Sequence, residues 1–136
     1  MGVKGLVVVG GRLLVYQRDQ HTANYPLCID LPGGGAEATD DSPFYTFQRE
    51  LLEEFQLKVL SKDIRYVRRY ASQQYPGKYS YFPVAVLPEG DRSRVKLGDE
   101  GLKYSWLSFD EYLSSQDLAW LSLKNRVTDY LKTQKA

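Results

Sequence analysis

Apolar positions change rhythm several times along the 136 residues. Val3 to Val9 and Arg12 to Gln17 are short apolar runs rich in β-branched residues, the mark of strands. Gly10-Gly11 lies between them and suits the positive backbone angles of a tight hairpin turn. Arg18 to Asp30 is polar and irregular, and Pro32-Gly33-Gly34-Gly35 is expected as a loop. Phe44, Phe47, Leu51 and Phe55 then recur at helical spacing, with Ser42 as N-cap and Pro43 at the first helical position. Val59-Leu60 is expected to begin a strand, and Ile64 to Tyr70 and Tyr79 to Leu87 predict two more. Pro83 cannot donate to a ladder, so it is expected at an edge or a bulge. Tyr104 to Leu107 predicts a further strand. Ser108 with Glu111 three residues on forms a capping box for a helix. A last helix is predicted from about Leu118 to Lys132, with Trp120, Leu123, Val127 and Tyr130 on its apolar face. Strands interspersed with helices predict a mixed sheet flanked by helices, an α/β (α+β) class with one domain over residues 1–136.

Composition narrows the choices. Hydrophobic residues make up 43%, enough for a packed core. Eighteen basic residues nearly balance 17 acidic ones. A bulk electrostatic partner such as duplex DNA or an anionic membrane is therefore not expected, and any anion must be held by a local site. A single cysteine, Cys28, excludes an intramolecular disulfide and a multi-thiolate zinc site. No stretch is long and apolar enough for a membrane span, so the expectation is a cytoplasmic protein, monomeric or homodimeric.

The chemistry concentrates between Leu31 and Leu57. On a helix turning about 100° per residue, Glu50, Glu53 and Glu54 share one face, roughly 115° from the phenylalanine and leucine stripe. One side can be buried while another presents three carboxylates. Acidic clusters on helices are usually solvated faces, and like charges so spaced repel. A hard divalent cation with a preference for oxygen would turn that repulsion into binding. Glycines just upstream would let the backbone approach such a ligand closely.

With Leu31-Pro32-Gly33-Gly34 before it, this segment resembles the box of the Nudix hydrolases. That box runs Gly, five residues, Glu, seven residues, then Arg-Glu-apolar-x-Glu-Glu-x-Gly-apolar. Gly35, Arg49, Glu50, Leu51, Glu53, Glu54 and Leu57 fill matching positions. Asp41 stands where the box has its first Glu. An alternative register starts from Gly34, with Glu37, Asp40 or Asp41 as the acid. Gln56 replaces the box glycine that ends the helix in a left-handed conformation, at a cost of about 1 kcal/mol.

The resemblance implies a Nudix-type α/β/α sandwich and hydrolysis of a pyrophosphate linkage with Mg²⁺, for which Mn²⁺ can substitute. It implies Glu50, Glu53 and Glu54 as metal ligands, joined by a backbone carbonyl of Gly33 or Gly34. It casts Arg49 as the group that orients the glutamates. It also implies that Glu100, in Gly98-Asp99-Glu100-Gly101, is a general base or further ligand. Arg18, Tyr25, Asp30, Gly34 and Gly35 are the candidates for substrate contact. The expected substrate is a small nucleotide, first a nucleoside triphosphate. The alternatives are nucleoside diphosphate conjugates, RNA 5′ ends, or a non-catalytic module that senses a nucleotide.

Overall fold

The computed structural model describes residues 2–72, 75–98 and 101–134. Its strands are β1 (Gly2–Lys4), β2 (Leu6–Val9), β3 (Arg12–Arg18), β4 (Ile29–Asp30), β5 (Gly33–Gly35), β6 (Ile64–Ala71), β7 (Tyr79–Leu87) and β8 (Gly101–Ser108). Three helices accompany them: α1 (Pro43–Phe55), α2 (Phe109–Ser114) and α3 (Leu121–Thr133). The sheet is mixed. β7 runs parallel to β1 and β2 and antiparallel to β6. β3 pairs antiparallel with β2, β4 and β8, and β1 with β5.

All four residues of β2 are buried because both faces of the sheet are covered. Val7 and Val9 pack with Phe47, Leu51 and Phe55 of α1. Leu6 and Val8 pack with Leu123, Val127 and Tyr130 of α3. Successive strand residues point to opposite faces, so one apolar run feeds two cores. This is the expected sandwich of a mixed sheet between helices.

Several local expectations are corrected. The run Val3 to Val9 is two strands, broken at Gly5. A Cβ there would collide with the Pro83 carbonyl, and the Gly5 N–H donates instead to Pro32 O at 3.0 Å. Pro83 lies within β7, which is paired on both sides, and opposite that break rather than at an edge. Gly33 to Gly35, expected as loop, is an antiparallel partner of β1. Gly33 has φ 138°, and a Cβ there would overlap the Val3 carbonyl. The absence of a side chain is what lets this strand approach β1. Val59-Leu60 begins no strand. Val59 is buried under α1, its carbonyl accepts from Gln48 Nε2 at 2.7 Å, and a 3₁₀ turn over Ser61–Asp63 follows. α3 starts at Leu121 because Trp120 has φ 56°, outside helical space. Among the described residues no helix is long and apolar enough to cross a membrane.

Candidate active site

Helix α1 is fixed at both ends. Ser42 Oγ accepts from Tyr45 N–H at 3.1 Å, and Gln56 closes the helix at φ 52°, ψ 33°, with its N–H on Leu52 O. Phe47, Leu51 and Phe55 are buried almost completely, which sets the rotation of the helix about its axis. That rotation leaves Glu50, Glu53 and Glu54 together, with one oxygen from each lying within 4.8 Å of the others. Glu50 is largely covered and lies against β5, where a Cβ on Gly34 would come within 2.5 Å of its Oε1. Glycine at 34 is therefore a requirement of the carboxylate's position.

Arg49 joins the acidic groups into one assembly. Its Nε and Nη2 clasp Asp40 at 3.0 and 2.9 Å. Nη2 also donates to the Gly35 carbonyl at 3.1 Å, and Nη1 reaches Glu50 and Glu53 at 3.2 Å each. Asp40 in turn accepts from the Glu37 N–H and from Thr46 Oγ1. Of the acids left open by the sequence, Asp40 is therefore the one clasped by Arg49 on two oxygens. Glu37 only touches the same guanidinium, at 3.2 Å. One residue of extra loop is absorbed before the helix. The Arg49 fork holds the Asp40 carboxyl well below the usual carboxylate range. Hydrogen bonding to Asp40 raises the Arg49 guanidinium in return. One guanidinium is shared among Glu37, Asp40, Glu50 and Glu53, so the cluster keeps an excess of negative charge suited to a cation.

A cavity of about 1070 Å³ opens beside Glu50 and β5. Lys4, Tyr16 and Arg18 form part of its wall. Asp30 lies behind them. Its side chain is fully buried, and its Oδ2 accepts from Lys4 Nζ at 2.8 Å, Arg18 Nη1 at 2.7 Å and the Tyr16 hydroxyl at 3.2 Å. Its other oxygen takes the Leu31 N–H at 2.7 Å. The expectation that Asp30 itself touches a base or sugar is corrected accordingly: it holds two cations and a phenol that reach the cavity. Tyr25 does not line the cavity either. It packs edge-on against Trp120, ring centres 4.7 Å apart, and it is Trp120 that lines the wall. Gly33, Gly34, Gly35 and Arg18 do line it. Glu100 lies outside the described residues.

Lys4, Tyr16 and Trp120 were missed by sequence reasoning. Lys4 left a signal, a lone charge inside an apolar strand run. Trp120 left none, because at helical spacing it is indistinguishable from a core residue.

A NUDIX domain family model matches residues 2–129. No curated protein sequence matches significantly. Among solved structures, the MutT protein of Methanosarcina mazei Go1 aligns at 23% identity and TM-score 0.71, covering 99% of this chain and 94% of that one. The C. elegans Ap4A hydrolase aligns at 13% identity and TM-score 0.73, covering 98% of each. A NUDIX hydrolase of Nitrosomonas europaea aligns at 21% identity and TM-score 0.76, covering 96% and 69%. At these identities the structural likeness speaks for the fold.

Proposed function

This chain belongs to the Nudix family and is a pyrophosphohydrolase, and we propose that it cleaves a small nucleotide with a divalent cation, Mg²⁺ or Mn²⁺, held by Glu50, Glu53 and Glu54. The single observation behind this reading is the convergence of three carboxylates within 4.8 Å on a helix whose rotation is set by its core. All-oxygen donors with excess negative charge suit a hard cation, and such ions keep positions open for water and phosphate. The Gly33 carbonyl is the backbone candidate to complete the set.

When bound, the cation supplies charge neutralisation at the phosphate oxygens and acidifies water. The protein does the rest. Glu50 is held by Arg49 and given room by Gly34, which fixes its direction. A carboxylate of the cluster takes the proton of the attacking water. On the resemblance alone, Glu100 joins Glu53 as a candidate for that base. Lys4 and Arg18, both anchored on buried Asp30, line the same cavity and meet phosphate oxygens there. Asp30 thus acts as a positioning residue.

A nucleoside triphosphate is the first substrate proposed. Conjugates of a nucleoside diphosphate are the second, favoured by how far the cavity extends beyond the carboxylates. The test is a screen of nucleoside triphosphates, diphosphate conjugates and RNA 5′ ends with Mg²⁺ in ¹⁸O-labelled water, products read by mass. Mg²⁺-dependent release of phosphate, pyrophosphate or nucleotide carrying one label is expected. Tight binding without turnover across the whole set would instead identify a sensor module.

A further inference from the structure

One cation in the cavity wall has no part in the chemistry above. Arg126 projects from α3, half-buried, with its guanidinium 4.4 Å from the centre of the Tyr70 ring. Among the described residues no carboxylate forms an ion pair with it. Asp129, one turn further on, is committed elsewhere, to the Tyr70 hydroxyl at 2.9 Å and to Arg68 at 3.4 Å. Those contacts anchor the Tyr70 ring as a platform for Arg126. Burial depresses the Arg126 guanidinium without a carboxylate to offset it. A cation desolvated in this way is stabilised by an anion delivered from the cavity. Lys78, on the segment joining β6 and β7, lines the same space and adds a second positive charge.

The separation of its Tyr70 platform from the glycine strand says what kind of anion fits. Tyr70 is in register with Ser80 on β7, Tyr81 with Val3 on β1, and Val3 with Gly34 on β5. Tyr70 thus stands three strands from the glycine strand, roughly 14 Å at the usual strand spacing. It also packs with the α3 core, whereas Glu50 reaches Gly34 from α1 on the other face. Adjacent phosphoryl groups share a bridging oxygen and cannot span this separation.

We propose that Arg126 binds a second anionic group of the substrate, a phosphate monoester remote from the scissile pyrophosphate, and so selects phosphorylated nucleotide conjugates over their unphosphorylated counterparts. This rests on the hydrolase reading of the carboxylate site. Guanidinium and phosphate match as a planar fork against a tetrahedral anion, and such charged hydrogen bonds are the strong ones.

The experiment uses matched pairs differing only in that phosphate: NADP against NAD, and coenzyme A against dephospho-coenzyme A. The ratio of kcat/KM within each pair is measured with Mg²⁺ for wild type, Arg126→Ala, Arg126→Lys and Lys124→Ala. Wild type is expected to favour the phosphorylated member of at least one pair by roughly tenfold to a hundredfold. Arg126→Ala should bring that ratio close to one, Arg126→Lys should leave it between, and Lys124→Ala, on the same helix outside the cavity wall, should keep it. A wild type without preference in either pair, or an Arg126→Ala that keeps it, overturns the inference. If wild type cleaves none of the four, the hydrolase reading stands or falls by the nucleotide screen above, and calorimetry on the same pairs decides the subsite. Tighter binding of the phosphorylated member, lost in Arg126→Ala, supports the subsite, and equal or absent binding overturns it.

Discussion

Helices α1 and α3 have the same length, thirteen residues, and cover opposite faces of one sheet, yet they bring charge to the cavity in opposite ways. α1 concentrates negative charge and organises it locally. The partners of Arg49 lie one, four, nine, twelve and fourteen positions away. α3 contributes a guanidinium seated on a tyrosine from a distant strand, whose hydroxyl is tied to α3 by a contact spanning 59 positions. Their beginnings differ as well. α1 has a serine cap and a proline at its first turn, whereas α3 starts from a left-handed Trp120 with no side-chain cap. A site assembled from neighbours in sequence is fixed once its helix forms. A site assembled across the sheet exists only when the whole domain has folded.

The sharpest way to break this contrast is at Glu54. Glu54→Gln keeps the helix but removes the charge of a proposed metal ligand, and kcat should fall by more than the roughly 100-fold expected for loss of a merely supporting partner. Retention of full Mg²⁺-dependent turnover by the folded variant would count against the metal site on α1.

Asp40→Asn probes the local brace next. It leaves Glu50, Glu53 and Glu54 in place but deprives Arg49 of its bidentate partner, and activity should drop by about ten- to a hundredfold. Stability carries a pH signature. The folded-state pKa of Asp40 is depressed below its unfolded value of about 4. Its contribution is thus fully present above that value and lost as pH falls through the depressed pKa. Melting temperatures of wild type and variant should differ at pH 6 and converge as the pH drops below about 3. A gap that persists unchanged in strong acid would show that the aspartate charge is not what braces Arg49.

The smallest effect is expected at the end of α1. Gln56 sits at φ 52° where glycine is at ease, so Gln56→Gly should raise stability by up to about 1 kcal/mol. The entropy that glycine adds to the unfolded chain reduces the gain. Denaturant melts would read it, and a loss of stability would mean that the Gln56 side chain contributes more than its backbone costs.

How much of this was legible in the sequence follows the same division. The helix α1, its cap, its apolar stripe and the shared face of Glu50, Glu53 and Glu54 are consequences of local spacing. They were readable because a helix maps positions three and four apart onto one face without outside help. The capping box at Ser108 and Glu111 was readable for the same reason. Asp40 could not be separated from Asp41 or Glu37, because loop residues have no period. Its choice was made by the Arg49 fork. Glycines 33 to 35 looked like a loop because their β partner, Gly2 to Lys4, lies some thirty positions earlier. Pro83 sits in an inner strand because Gly5, on a different strand, interrupts the ladder opposite it.

The sequence alone determined the mixed helix and sheet character, the carboxylate face of α1 and the glycine approach to it, all products of local periodicity and backbone permissiveness. Tertiary structure alone decided that Asp30 is a buried anchor for Lys4 and Arg18, that Trp120 rather than Tyr25 lines the cavity, and that Arg126 faces it from the Tyr70 ring. Burial and charge pairing depend on which distant strands and helices meet. No pattern along the chain records that until the sheet brings them together.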